Sequence, residues 1–108
     1  MQYFAGLDVS LEAISMCVVD DDSGVVFRKN LPFCPLAVRD ALEERKLSPQ
    51  RIVHESGQIS IWLQLRLEGL GLPAICINAR SAHKVLSAKL NKSDRSDAEG
   101  LAQLARIG

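Results

Sequence analysis

QYFAGLDVSLEAISMCVVDDDSGVVFRKN, residues 2–30, is the stretch that decides the fold. Residues 2–9 are apolar on both faces until Asp8, which predicts a strand covered on both sides. Ile14, Met16 and Val18 alternate through Ala13 to Val19, a second strand. Asp20-Asp21-Asp22-Ser23-Gly24 is a turn signal, and Val25 to Lys29 returns as a third strand. Three short strands joined by tight turns predict an antiparallel meander, and a meander needs partners to bury its faces.

The rest of the chain supplies those partners. Pro32 and Pro35 break the strand pattern, and Leu36, Val38, Ala41 and Leu42 then recur near helical spacing through Lys46. Arg51 to Glu55 reads as a brief strand ending at Ser56-Gly57. From Ile59 to Leu70 the apolar residues fit both strand alternation and a helical stripe. Its length, its Leu, Gln, Arg and Glu content and the stops at Gly69, Gly71 and Pro73 decide for a helix. Ala74 to Ile77 is a further strand, Ser81 to Lys89 is helical, Leu90 to Ser93 is a polar loop, and a last helix carries Ala98, Leu101, Ala102, Leu104 and Ala105. The expected architecture is α/β: a mixed five-stranded sheet with helices on both faces, in one domain spanning 1–108.

Composition bounds the function. With 108 residues, 47% hydrophobic and 24% charged, and thirteen bases balancing thirteen acids, the chain has one core and no excess charge for coating nucleic acid. It has no apolar run of the ~18 residues that a spanning helix needs. Tyr3 to Val9 is too short for a signal peptide and contains Asp8, so a cytoplasmic protein with no membrane partner is expected. Cys17, Cys34 and Cys76 are odd in number and never paired as C-x-x-C, so they read as free, mostly buried thiols. Charge is uneven: residues 1–27 hold five acids and no Lys or Arg, residues 28–78 seven bases and five acids, and residues 79–108 six bases and three acids. The net runs −5, +2, +3, an acidic start and a basic end that a fold can bring together for metal-dependent chemistry on a polyanion.

Four acids are placed to do that chemistry. Asp8 closes the first strand and Glu55 the fourth, each directly after apolar residues, where an uncompensated charge is costly. If those strands are neighbours, both carboxylates emerge at one sheet edge. Asp94 and Asp97 lie three residues apart at the mouth of the last helix, hence on one helical face. Ser93 or Ser96 can cap that helix, the latter with Glu99 in a capping box, and capping accounts for part of the cluster. Divalent ions such as Mg²⁺ take oxygen ligands, and a two-metal site gathers several carboxylates around ions ~4 Å apart.

GLDVS at 6–10, HESG at 54–57 and above all KSDRSDAEGLAQLA at 92–105 resemble, in order and spacing, the N-terminal domain of DEDD-type insertion-sequence transposases, the group that includes the Piv-like DNA invertases. The resemblance implies a RuvC-like, ribonuclease H-like fold. It makes Asp8, Glu55, Asp94 and Asp97 both catalytic residues and ligands for Mg²⁺ or Mn²⁺, with DNA strand cleavage and transfer as the activity. Ser56 stands where that family usually has Thr, which keeps the hydroxyl. The resemblance also implies a C-terminal domain bearing a serine nucleophile, a guide RNA and a homo-oligomeric synaptic assembly. Since the chain stops at Gly108, it reads as a fragment of a longer recombinase, not competent alone for complete recombination.

Arg80, Lys84, Lys89, Lys92 and Arg95 surround the last two acids and are candidate phosphate contacts, of the kind that position a nucleic-acid backbone without reading its sequence. Five aromatics are too few for a base-stacking platform. His54 alternates to the side of the strand opposite Glu55 and reads as a packed, hydrogen-bonded residue. Asp20 to Asp22 lack the downstream glutamate of a calcium loop and read as a plain hairpin turn. A Holliday-junction-resolving nuclease and an inert interaction module are the rival readings. An actin-like or sugar-kinase ATPase would need glycine soon after the strand-end acid, where Val9 and Ser10 stand.

Overall fold

In the computed structural model the described residues are 2–55, 57, 59–77 and 97–107. The meander is present as β1 (Tyr3–Val9), β2 (Ala13–Asp20) and β3 (Val25–Pro32), followed by α1 (Pro35–Glu44), β4 (Arg51–Glu55), α2 (Ser60–Gly69), β5 (Ala74–Ile77) and, after the undescribed stretch, α3 (Asp97–Ile107). The sheet order is β3-β2-β1-β4-β5. β1, β2 and β3 pair antiparallel, whereas β4 pairs parallel to β1 and β5 parallel to β4. This is the expected mixed five-stranded sheet. The expected helix over 81–89, the loop 90–93, and with them Arg80, Lys84, Lys89, Lys92, Asp94 and Arg95 lie outside the described residues.

β1 is the central strand, which is why it is apolar on both faces. Ala5 and Leu7 join Ile14, Met16, Ile52, Leu63 and others in a core under α1 and α2. Phe4 points to the other face, with Cys17, Val19, Val53 and the apolar stripe of α3: Ala98, Leu101, Ala102 and Ala105. In α2, Leu63 and Leu67 are buried one turn apart, while Ile61 and Leu65 are exposed. A strand would have put all four on one face; the helix buries only the pair at i, i+4.

Three expectations need correction. The third strand runs past Lys29 to Pro32, where the prolines do break the pattern, and Pro35 opens α1, whose first turn needs no N–H from it. α1 stops at Glu44, short of Lys46, because Lys46 adopts a left-handed φ of 56°. Of the three free cysteines only Cys17 is buried; Cys34 is half-buried and Cys76 exposed. Cys76 sits on β5, an edge strand with exposed residues at both central positions.

Candidate functional site

The site begins with strand register. Leu7 of β1 lies opposite His54 of the parallel strand β4, so the next residue of each, Asp8 and Glu55, emerges on the same face at the carboxyl-terminal edge of two adjacent strands. Asp8 is exposed and Glu55 half-buried. Both line one hollow of about 220 Å³, walled also by Ser10, Ser60, Leu63 and Leu101. The two strand-end acids therefore converge, as the sequence led us to expect.

α3 covers the same face, and its placement depends on residues that sequence patterning overlooks. Gly6, two positions before Asp8, lies directly under the helix. A Cβ there would fall far inside van der Waals contact with the backbone N of Ala102 and the carbonyl of Ala98, and 2.7 Å from the carbonyl carbon of Leu101. Only glycine lets the helix rest backbone to backbone on β1. At the far end, Arg51 donates from Nε to the Ala105 carbonyl at 2.6 Å and from Nη2 to that of Arg106 at 3.4 Å, satisfying last-turn acceptors. On its flank, buried Glu99 accepts from Arg28 of β3 in an ion pair. Expected above only as a capping partner for Ser96, Glu99 thus ties the helix to the sheet.

These contacts give the helix its direction. Its last turn lies over Arg51, at the start of β4, and its earlier residues Ala98 to Ala102 lie over Gly6, in the middle of β1 and two register steps further along the strands. α3 runs antiparallel to both strands, so its first residue, Asp97, opens it at the edge that carries Asp8 and Glu55. Asp94 and the five candidate phosphate-binding cations lie outside the described residues. A glycine inside an otherwise apolar strand is the one sequence signal that could have pointed to the close approach.

The neighbouring polar groups have other work. Gln64 donates from Nε2 to the Ala74 carbonyl at 2.7 Å, so its Oε1 faces His54, whose Nε2 must carry the proton in the 2.8 Å bond between them. Burial lowers the His54 pKa from its ordinary 6.5, a shift that the Gln64 bond partly opposes. His54 is thus a neutral, packed imidazole linking β4 to α2, as expected. Cys17 sits beneath α3, and burial raises its thiol to about 11 despite the nearby Arg28, which keeps it protonated. Asp20, Asp21 and Asp22 form a carboxylate group within 4.8 Å. Asp20 Oδ1 accepts from the N–H of Asp22 at 2.9 Å and of Gly24 at 3.0 Å, the hairpin-turn role expected of it. Asp20 also pairs with Tyr3, at the end of β1 opposite Asp8.

Among solved structures, the chain is similar to a ROK hexokinase from Thermus thermophilus, with a TM-score of 0.61, 16% identity, and coverage of 82% of this chain and 38% of that one. It is also similar to the ethanolamine utilization protein EutJ from Carboxydothermus hydrogenoformans, with a TM-score of 0.54, 18% identity, and coverage of 81% and 41%. At such identities the likeness is one of fold, and the chain spans about two fifths of the length of those structures. No curated protein sequence matches it. A family model described as Transposase, of the IS110 DEDD type, matches residues 5–108. The match takes in both strand-end acids, Gly6 and the whole of α3, and the chain belongs to the IS110-type DEDD transposase family.

Proposed function

We propose that this chain is the metal-binding catalytic domain of a DNA transposase, ribonuclease H-like (RuvC-like) in fold, that holds Mg²⁺ or Mn²⁺ through Asp8, Glu55, Asp94 and Asp97. One observation carries the reading: Asp8 and Glu55 share one hollow at the sheet edge where α3 begins. The donors fit the ion, since carboxylate oxygens are the ligands that Mg²⁺ and Mn²⁺ prefer, and a hollow of about 220 Å³ leaves space for water beside them. When bound, such ions act as Lewis acids on a scissile phosphodiester and lower the pKa of an attacking hydroxyl. The chain's own part is positional. Asp8 and Glu55 hold one side of the site from rigid strands, and α3, fixed by Gly6, Arg28 and Arg51, brings Asp97 to the other. Arg80, Lys84, Lys89, Lys92 and Arg95 contact flanking phosphates in this reading. A guide RNA, an oligomeric assembly and a further domain rest on the family resemblance alone.

The hexokinase likeness raises a second reading, phosphoryl transfer with nucleotide phosphate cradled by backbone N–H groups after β1. Local geometry disfavours it. Ser10 Oγ already accepts from the N–H of Glu12 at 3.3 Å and of Ala13 at 3.1 Å, and it donates to the Ala13 carbonyl at 3.1 Å. These turn donors are engaged, and the same bonds occupy the Ser10 hydroxyl as a nucleophile.

The test is thermal. Millimolar Mg²⁺ or Mn²⁺ should raise the melting temperature by mass action, with about 2.7 kcal/mol expected at a hundredfold excess over Kd. Asp8→Asn should abolish that rise while leaving the metal-free fold intact or slightly more stable, because one of several repelling charges is gone. An equal metal response in wild type and Asp8→Asn would refute the assignment.

A further inference from the structure

The face of the sheet that carries the acids is not fully covered. α3 packs on β1, β2 and β4, and it leaves Val26, Arg28, Asn30 and Pro32 of the edge strand β3 exposed. Antiparallel register continues the acidic row onto this strip: Asp8 lies opposite Ser15, and Ser15 opposite Asn30. One step back, Gly6 lies opposite Cys17, and Cys17 opposite Arg28. A hollow of about 300 Å³ lies here, lined by Ser15, Arg28 and Asn30 with Met16 and Lys29, the residues between them.

The strip presents donors. Ser15 Oγ donates to Asn30 Oδ1 at 3.0 Å, which occupies the amide oxygen and leaves the Nδ2 hydrogens facing outward. Arg28 reaches Glu99 through Nη2, yet its side chain is 52% exposed, so guanidinium N–H groups remain accessible. Exposed amide and guanidinium donors on one strip suit an anionic, acceptor-rich ligand. Strands lie ~4.8 Å apart, so Asn30, two strands from Asp8, sits about 10 Å along the row from the proposed metal site.

We propose that Ser15, Asn30 and Arg28 form a binding strip for the sugar-phosphate backbone of DNA, leading across β2 and β3 to the carboxylate edge. This inference rests on the reading of that edge as a metal-dependent DNA site. The strip holds the strand beside the scissile phosphate and reads no bases, because it offers only donors to phosphate oxygens.

The test compares two variants that lower net charge equally on opposite sides of the sheet. Asn30→Asp places a carboxylate on the strip. Lys46→Gln removes an exposed cation just beyond α1, the helix on the other side. Fluorescence anisotropy with a labelled DNA duplex at two salt concentrations is read beside the Mn²⁺-induced shift in melting temperature. Asn30→Asp should weaken DNA binding about fivefold or more and flatten the salt dependence, whereas Lys46→Gln changes affinity less than about twofold. Ser15→Ala, which frees the Asn30 amide to rotate, should weaken binding in the same direction by less. All three variants should keep the wild-type Mn²⁺ response. Equal losses from Asn30→Asp and Lys46→Gln, or no loss from Asn30→Asp, would overturn the strip while leaving the metal reading standing. Wild-type protein that shows a metal response but binds no DNA overturns the strip, and wild-type protein without a metal response overturns the reading beneath it.

Discussion

The two faces of the sheet are packed in opposite ways. Under α1 and α2 the core is built from large aliphatic side chains, Leu7, Ile14, Met16, Leu42, Leu63 and Leu67. Side chains fill the space there and hold the layers apart. Under α3, Phe4, Val19, Val53 and Leu101 pack beside the small residues Gly6, Cys17, Ala98, Ala102 and Ala105, and at Gly6 backbone meets backbone. The first face supplies area; the second supplies position. Large side chains can repack around a small displacement, whereas a helix seated on a glycine has one depth at which it fits. The face with the closer fit is the one that carries Asp8 and Glu55.

The largest stability effect should come from the aliphatic face. Leu67→Ala removes a buried side chain and leaves a cavity, and a loss of about 2–5 kcal/mol is expected in urea unfolding. The Mn²⁺-induced rise in melting temperature should survive, because the acids and α3 lie on the other face. Loss of the metal response in a folded Leu67→Ala protein would erase the division between the faces.

Gly6→Ala should do the reverse. Overpacking against the Ala98–Ala102 backbone is expected to cost about 1–3 kcal/mol, a smaller penalty for a single methyl group. Its consequence falls on the proposed metal site, since α3 must lift and its first turn shift relative to Asp8 and Glu55. The metal response should drop out while cooperative unfolding persists. Gly6→Ala protein with full stability and full metal response would show that α3 is not seated as described.

These two variants also mark what the sequence makes legible. The meander, the parallel β4 and β5, and the convergence of Asp8 with Glu55 follow from local signals: period-two alternation, turn residues, and acids placed at strand ends. The seat of α3 does not, because Gly6 and Ala102 are distant in the chain and nothing in either stretch names its partner. Arg28 with Glu99 is equally silent, since each has a satisfactory local reading, an edge-strand cation and a capping acid. The exposure of Cys76 is hidden for a related reason: residue type favours burial, but β5 is an edge strand, and strand order is a tertiary fact.

The smallest effect lies in pH, and it again separates the faces. His54 is fully buried on the aliphatic side, and Gln64, fixed by the Ala74 carbonyl, accepts its Nε2 proton. Burial holds its folded pKa below the ordinary 6.5, with the Gln64 bond opposing in part. An unfolded chain then binds a proton at this residue more readily than the folded one, so unfolding takes up protons in that window. The His54 contribution is fully present above the unfolded value near 6.5 and is lost as pH falls below it toward the folded pKa. In the presence of a chelator, wild-type stability should therefore decline from about pH 7 to about pH 5.5, and His54→Gln should decline less steeply over the same range. The slope is the quantity to compare, because the substitution also changes packing and shifts both ends of the curve together. Parallel slopes in urea titrations across that range would mean that His54 is not held neutral in the fold, and the polar link from β4 through Gln64 to β5 would have to be redrawn.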